Sequence, residues 1–162
     1  MAYLDHSLLD VQPKTTCDAT PENIGSIVVS AIINTAGNKV VISRYADDVW
    51  EMYPFFEQSN RSASEKRIDW LKQPAPFREQ IKAILYRYWM VGREGFQRPT
   101  AGTVRDASVR VAVFLRYLLN LNVNRLVDIS PTHVFNFIQY LQNTKNNQPK
   151  AINNSLQCIE LL

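Results

Sequence analysis

In the second half of the chain, apolar residues recur every three or four positions, which is the pattern of amphipathic α-helices. This periodicity predicts a helix over residues 76–91, ended by Gly92. A second helix is expected to begin near Thr100 or Thr103, because Thr103 and Asp106 have the spacing of an N-terminal capping box. The second half of the chain is therefore expected to begin with two consecutive helices.

Two further helices are expected after a loop over Asn120–Asp128, a stretch with three asparagines and no helical period. Ser130 followed by Pro131 is typical of a helix start, with serine as the N-cap and proline in the first turn. The fourth helix is expected to begin at Lys150, after a polar connector. The pattern therefore predicts a mainly α fold, with a four-helix bundle over residues 76–162.

The pattern is less regular in the first part of the chain. Segments 26–33 and 39–45 are rich in valine and isoleucine and flank a polar turn, which favours a small β-hairpin. A helix over Glu22–Ile33 is the competing interpretation, because it follows a Thr-Pro pair. Aromatic residues in Asp47–Glu57 are expected to lie across the helices. Residues 1–75 are thus predicted to form an arm or subdomain with at most a small β-element.

The charge of the 162-residue chain is unevenly distributed, although its formal net charge is only +3. Residues 1–75 hold 7 Lys/Arg against 10 Asp/Glu, whereas residues 76–162 hold 11 against 5. Between Ala107 and Val127, every charged residue is an arginine. Such an asymmetry is expected of a surface that faces a polyanion, and a merely solvated basic surface is the alternative.

The sequence lacks the features of membrane, secreted and disulfide-rich proteins. Its apolar runs are too short for a transmembrane helix. The first residues lack the basic flank and apolar core of a secretory signal. Two cysteines, Cys17 and Cys158, cannot build a disulfide framework. We therefore expect a cytoplasmic protein with no membrane partner.

The sequence carries no constellation that indicates catalysis, a metal or a cofactor. His6 and His133 have no second histidine or cysteine pair at metal-ligand spacing, and His133 is expected to be a surface or cap residue. Asp47, Asp48 and Glu51 are expected to form an exposed acidic turn. Glycine-rich phosphate loops and the common hydrolase motifs are absent from the sequence. The chain is predicted to be noncatalytic.

The run Thr103–Gln142 resembles the core-binding domain of phage-type tyrosine recombinases, or integrases. Phe114-Leu-Arg-Tyr-Leu118 is similar to the end of that domain's first helix, and Leu126-Val-Asp-Ile-Ser130 to the loop after it. The following two helices are matched by Val134, Phe137, Ile138 and Leu141, and by Lys150, Ile152 and Leu156. Val41–Trp50 is similar to the leading segment of some long bacterial integrases. The resemblance implies a SAM-like core-binding bundle of the integrase N-terminal type.

In that family the catalytic half follows this module and carries a His-x-x-Arg motif and a tyrosine nucleophile. Neither His6 nor His133 is followed by arginine three residues on. The resemblance therefore implies the DNA-binding N-terminal region of a site-specific recombinase, truncated before a missing catalytic domain. It implies that duplex DNA is the partner and that the full-length parent self-associates on DNA. The fragment alone is expected to be a monomer or weak dimer.

Residues of the basic half supply the candidate DNA contacts. Arg105 and Arg116 are expected opposite the apolar stripe of the second helix, with Arg110 on its shoulder. Clusters at the starts of the second and fourth helices would form a concave basic rim if those starts lie side by side. The candidate DNA-binding residues are Arg98, Thr100, Thr103, Arg105, Arg110, Arg116, Lys145, Lys150, Asn153 and Asn154. A helical protein–protein interaction domain and a helix-turn-helix transcriptional regulator are the alternative functions.

Overall fold

Four α-helices dominate the computed structural model of this chain, which describes residues 24–56, 60–143 and 148–162. They are α1 Arg78–Val91, α2 Ala101–Asn120, α3 Pro131–Asn143 and α4 Pro149–Ile159. Each begins within about two residues of the position that the hydrophobic pattern predicts, which is the usual uncertainty of a helix boundary. The prediction of a mainly α fold is confirmed.

The start of α2 differs from the predicted capping box. Thr100 is the N-cap, and its hydroxyl accepts a hydrogen bond from the Thr103 backbone N–H at 3.2 Å. The pairing of Thr103 with Asp106 is wrong, because the helix begins one turn earlier and Asp106 falls in its second turn. The Asp106 carboxylate instead accepts from both terminal nitrogens of Arg61, each at 3.1 Å.

The start of α3 confirms the predicted serine cap. The Ser130 hydroxyl accepts from the His133 backbone N–H at 3.4 Å, and the His133 ring Nδ1 accepts from the Ser130 N–H at 3.0 Å. The pair therefore satisfies two backbone donors reciprocally, as a capping box does. The expectation that His133 is a cap residue is confirmed.

A β-hairpin forms from β1, Val28–Ile33, and β2, Lys39–Arg44, which pair antiparallel. In the turn, Asn34 Oδ1 accepts from the backbone N–H groups of Ala36 and Asn38 at 3.0 and 2.9 Å. Asparagine stabilises tight turns in this way because its short side chain reaches its own backbone. Of the two interpretations of this segment, the hairpin is therefore confirmed.

A second antiparallel pair was not predicted. It joins β3, Val49–Glu51, to β4, Arg67–Asp69. The aromatic segment around β3 does lie across the helices, as expected: Phe55 packs edge-on against Trp89 of α1, with 5.1 Å between ring centroids. Trp50, in the middle of β3, is completely buried. The strands therefore form part of the structure that holds the helices.

One cluster of buried side chains joins the strands to the helices. Gln73, which precedes α1, crosses this junction and donates from Nε2 to the Ser108 carbonyl of α2 at 3.0 Å. The largest fully buried members of the cluster are Val29, Trp50, Met52, Ile68, Trp70, Phe77, Ile81, Leu85, Phe114, Leu115, Leu118 and Phe137. Burial of this apolar surface fixes the strand region against α1 and α2.

Lys82 lies inside this junction and is only 4% exposed. Its ammonium donates to the Asp47 carbonyl at 2.9 Å and lies 5.3 Å from the ring centroid of Tyr45. The centroids of Trp50 and Trp70 are each 5.8 Å from the same nitrogen. Burial lowers the pKa of Lys82 below its usual value, and the attraction of nearby carboxylates offsets this effect only in part. The ammonium therefore links α1 to the strand region inside an aromatic cage.

Candidate nucleic-acid interface

The outward side of α2 carries Arg105 and Arg116, about three helical turns apart. Arg116 is exposed, and the Arg105 side chain retains 22% exposure. Both line the same cleft, together with Val109 and Ala112 from the helix surface between them. The prediction that these two arginines lie opposite the apolar stripe is confirmed.

The opposite wall of this cleft comes from the segment around β4. Arg67 and Lys72 line it there, so that four cations surround a space of about 200 Å³. Among the described residues that line the cleft, Asp69 is the only carboxylate. We call Arg67, Lys72, Arg105 and Arg116 the basic cleft. The positive charge it concentrates makes it suited to bind an anion.

Two hydrogen bonds tie the walls of the basic cleft together. The Arg116 guanidinium donates to the Lys72 backbone carbonyl. Gln73, on the floor, donates to the Ser108 carbonyl. Because both bonds reach from α2 to the segment before α1, the width of the cleft is set by the fold.

The guanidinium of Arg105 is oriented by a carboxylate behind it. Its NH1 donates to the Asp106 carboxylate at 3.1 Å. Although burial raises the pKa of Asp106, hydrogen bonds from Arg61 and Arg105 outweigh that effect and lower it below its usual value. Asp106 therefore stays ionised and holds Arg105 in place.

Looser ion pairs hold the cations on the other wall. Arg67 lies 3.9 Å from the Glu51 carboxylate, and Lys72 lies 3.5 Å from that of Asp69. Side chains of both pairs are partly exposed, and such pairs contribute at most about 1 kcal/mol. Arg67 and Lys72 can therefore turn toward a ligand at little cost.

A separate group of predicted residues lies at the start of α2. Arg98 is exposed, and its Nε donates to the Trp89 carbonyl in the last turn of α1 at 2.7 Å. Thr100 and Thr103 are exposed, with their hydroxyl oxygens 3.0 Å apart. The threonines are used in the cap of α2, and Arg98 closes the end of α1. Their outer surfaces still face solvent.

The remaining predicted residues lie on another side of α2. Arg110 faces α4, where its NH1 lies 3.5 Å from both the Ala151 carbonyl and the Ser155 hydroxyl. Near α4, Lys150 and Asn153 are exposed and Asn154 is half-buried. Lys145 lies outside the described residues.

The predicted rim between the starts of α2 and α4 is not formed. Arg93, in the connection that leads to α2, contacts the last turn of α4: it donates to the Gln157 carbonyl and lies 3.1 Å from the Glu160 carboxylate. The first turn of α4 lies instead against Arg110, in the middle of α2. The packing direction of α4 therefore separates the two helix starts.

Sequence reasoning missed Arg67 and Lys72. Both belong to the half of the chain whose summed charge is negative, and that sum concealed a local group of cations around Lys66 and Arg67. A short-window charge count would have found the group. It would not have placed it opposite α2, because this depends on the unpredicted pairing of β3 with β4.

Across residues 24–56, 60–143 and 148–162, no set of three or more His, Cys, Asp or Glu side chains is arranged to hold a metal ion. Within the same ranges, every helix is too short or too polar to cross a membrane. Comparisons with protein-family models, with curated proteins and with solved structures found no match to this chain. What the structure defines is a mainly helical fold with two small antiparallel sheets and one basic cleft.

Proposed function

We propose that this chain is the DNA-binding N-terminal region of a site-specific tyrosine recombinase, acting in the cytoplasm. The observation that carries the proposal is the basic cleft, where four cations from two parts of the chain meet around one lining carboxylate. Arginine and lysine side chains are the main donors to DNA phosphates in proteins that grip a duplex. The cleft is thus the surface on which duplex DNA is expected to lie.

The resemblance of Thr103–Gln142 to the core-binding domain of integrases supports the same proposal. In such a recombinase this region clamps the duplex, and a separate catalytic domain cleaves and joins the strands. The chain itself is then noncatalytic, and self-association on DNA is a property of the complete recombinase. One half of a clamp binds weakly, because it lacks the effective concentration that the linked second half supplies.

Fluorescence anisotropy with a labelled duplex, repeated at several salt concentrations, tests the proposal. Affinity should fall steeply with salt, with a slope of roughly one unit for each phosphate contacted. Changing Arg98, Arg105 and Lys150 to alanine should flatten the slope by roughly one unit for each separate phosphate that these residues contact, and by roughly three units if all three contact phosphates. Melting temperatures should accompany the measurement, since Arg98 also bonds the Trp89 carbonyl.

Failure of the wild-type chain to bind duplex DNA at low salt would contradict the proposal, as would an unchanged slope in the triple variant.

One observation favours a protein partner instead. Val109 and Val113 lie four residues apart on α2 and are 46% and 40% exposed. A helical interaction domain would use these valines, and its binding would show little dependence on salt.

A further inference from the structure

We infer that the basic cleft is a preformed pocket that encloses a single phosphate group of the DNA backbone. It differs from a diffuse positive surface, on which each cation would contact its own phosphate. The identity of the ligand rests on the proposed function, whereas the pocket itself rests on geometry, charge and buried polar groups.

The shape of the cleft limits it to one phosphate. Its cations face each other from two walls across a space of about 200 Å³. Phosphates of a duplex follow one another along the outside of a rod, so a concave space of this size can enclose one of them while its neighbours stay outside. We therefore expect the four cations that line this space to share one phosphate.

The charge of the site favours an anionic ligand such as a phosphodiester. Three carboxylates pair with the cations of the cleft: Glu51 with Arg67, Asp69 with Lys72, and Asp106 with Arg105. For Arg116, the described residues provide a backbone carbonyl and no carboxylate. Since Asp106 also pairs with Arg61, the cations around the cleft outnumber the carboxylates that pair with them.

Two buried polar atoms on the cleft residues lack hydrogen-bond partners. They are Nε of Arg105 and Oε1 of Gln73, and neither has a partner among the described residues. Gln73 is only 5% exposed. Buried polar atoms without partners are costly, and in native proteins they often mark the place of an ion or water. Both residues line the cleft, so a shift of either side chain would bring its buried atom to an ion or water bound there.

Two of the four donors are held in position before a ligand arrives, and the other two can turn toward it. Arg116 is fixed on the Lys72 carbonyl, and Arg105 on the Asp106 carboxylate. Guanidinium groups fixed in this way still present further N–H groups, and they lose little side-chain entropy on binding. A pocket of this kind fixes the position of one phosphate and hence the register of the chain on the duplex.

The first test measures how steeply the affinity for duplex DNA falls with salt, because this slope reports the number of phosphates contacted. A variant with Arg67→Gln, Lys72→Gln and Arg116→Gln loses three cations of one pocket. Its affinity for a labelled duplex should fall by on the order of tenfold or more, while the slope flattens by only about one unit. Flattening by about three units would show separate phosphate contacts and overturn the pocket.

A matched control removes the same charge elsewhere. Lys39, Arg87 and Arg125 are exposed and do not line the cleft, and all three are changed to glutamine. The control should alter affinity by less than about twofold at moderate salt, where separated surface charges are screened. If it weakens binding as much as the cleft variant does, the pocket is overturned. If the cleft variant binds like the wild type, the pocket is overturned and DNA lies on another surface, whereas duplex binding by the wild type still supports a DNA-binding function.

The second test uses inorganic phosphate and needs no DNA. In ¹H–¹⁵N spectra, the Arg105 Nε–H and the Gln73 side-chain amide should shift saturably as phosphate is added. Sodium chloride at equal ionic strength should give no saturation, and the cleft variant should require on the order of tenfold more phosphate. Absence of saturation overturns the pocket. Saturation without duplex binding supports the pocket and overturns the proposed function.

Discussion

Replacing Lys82 separates the packing of its long side chain from the effect of its buried charge. Lys82→Met keeps a side chain of similar length and removes the ammonium, whereas Lys82→Ala removes both. The ammonium lies within 6 Å of three aromatic ring centroids and donates to the Asp47 carbonyl. Comparison of the two variants therefore measures what the charge contributes inside the cage.

Two opposing effects decide the magnitude for the methionine variant. Each cation–π contact stabilises by roughly 0.5–2 kcal/mol, and the charged hydrogen bond by about 1.5–3 kcal/mol. Dehydration of a buried ammonium costs several kcal/mol. The lowered pKa of Lys82 has burial as its largest cause, which shows that dehydration outweighs the attraction of Glu79, Asp48 and Asp47. Lys82→Met should therefore change the free energy of unfolding by less than about 1.5 kcal/mol.

Lys82→Ala should be clearly worse, because it leaves a cavity between the rings. Loss of a long buried side chain costs about 2–5 kcal/mol. Urea denaturation followed by tryptophan fluorescence measures both variants, since Trp50 and Trp70 line the cage with 4.6 Å between their ring centroids. If the methionine variant loses as much stability as the alanine variant, the ammonium is strongly stabilising and the reasoning is wrong.

The pH dependence of the same comparison provides a second check. The pKa of Lys82 is lowered in the folded chain. As pH rises toward about 10.5, the folded chain therefore loses this proton before the unfolded chain does. Stability of the wild type should therefore rise relative to Lys82→Met as pH increases toward 10.5. Burial raises the pKa values of Tyr45 and Tyr86, so both proteins should lose stability as pH rises above 10. If the free energy of unfolding of the wild type falls relative to that of Lys82→Met as pH rises toward 10.5, the lowered pKa of Lys82 is contradicted.

Three shorter predictions concern the helices, a surface pair and catalysis. Phe137→Ala should lower the free energy of unfolding by about 3–5 kcal/mol in urea denaturation, because Phe137 is 1% exposed and packs against Phe114. A loss below 1 kcal/mol would contradict this packing. A double-mutant cycle on Arg61 and Asp106 should give a coupling energy of about 0.2–1 kcal/mol, since both side chains are more than a third exposed. Suicide DNA substrates should yield no covalent protein–DNA adduct in denaturing gels; any adduct contradicts the noncatalytic proposal.

The helices could be predicted because their signals are local. Ser130 and Pro131 identify the start of α3 within two residues, and the apolar stripe of α2 places Arg105 and Arg116 on its outward face. The Thr103–Asp106 pairing failed because several residues near a helix start have capping side chains. The choice among them depends on the residue at which the backbone becomes helical, and here the helix begins directly after Thr100.

The β3–β4 sheet and half of the basic cleft could not be predicted in the same way. Each strand has three residues, too few for a period-two pattern to be recognised. Their pairing also joins segments without a tight turn between them, and such contacts depend on the whole fold. Arg67 belongs to β4 and Lys72 follows it, so the local sequence could not predict that both residues lie opposite α2.

The two walls of the basic cleft come from distant parts of the chain, and this affects when the cleft arises during folding. The Gln73–Ser108 bond that joins the walls spans 35 positions. Helices form from local contacts within about a microsecond, whereas contacts at this separation must first overcome loop-closure entropy. A partly folded chain can thus contain α2 and still lack concentrated positive charge. The four cations come together only when α2 has packed against the segment before α1, so the cleft is a product of the last long-range contacts and not of any single helix.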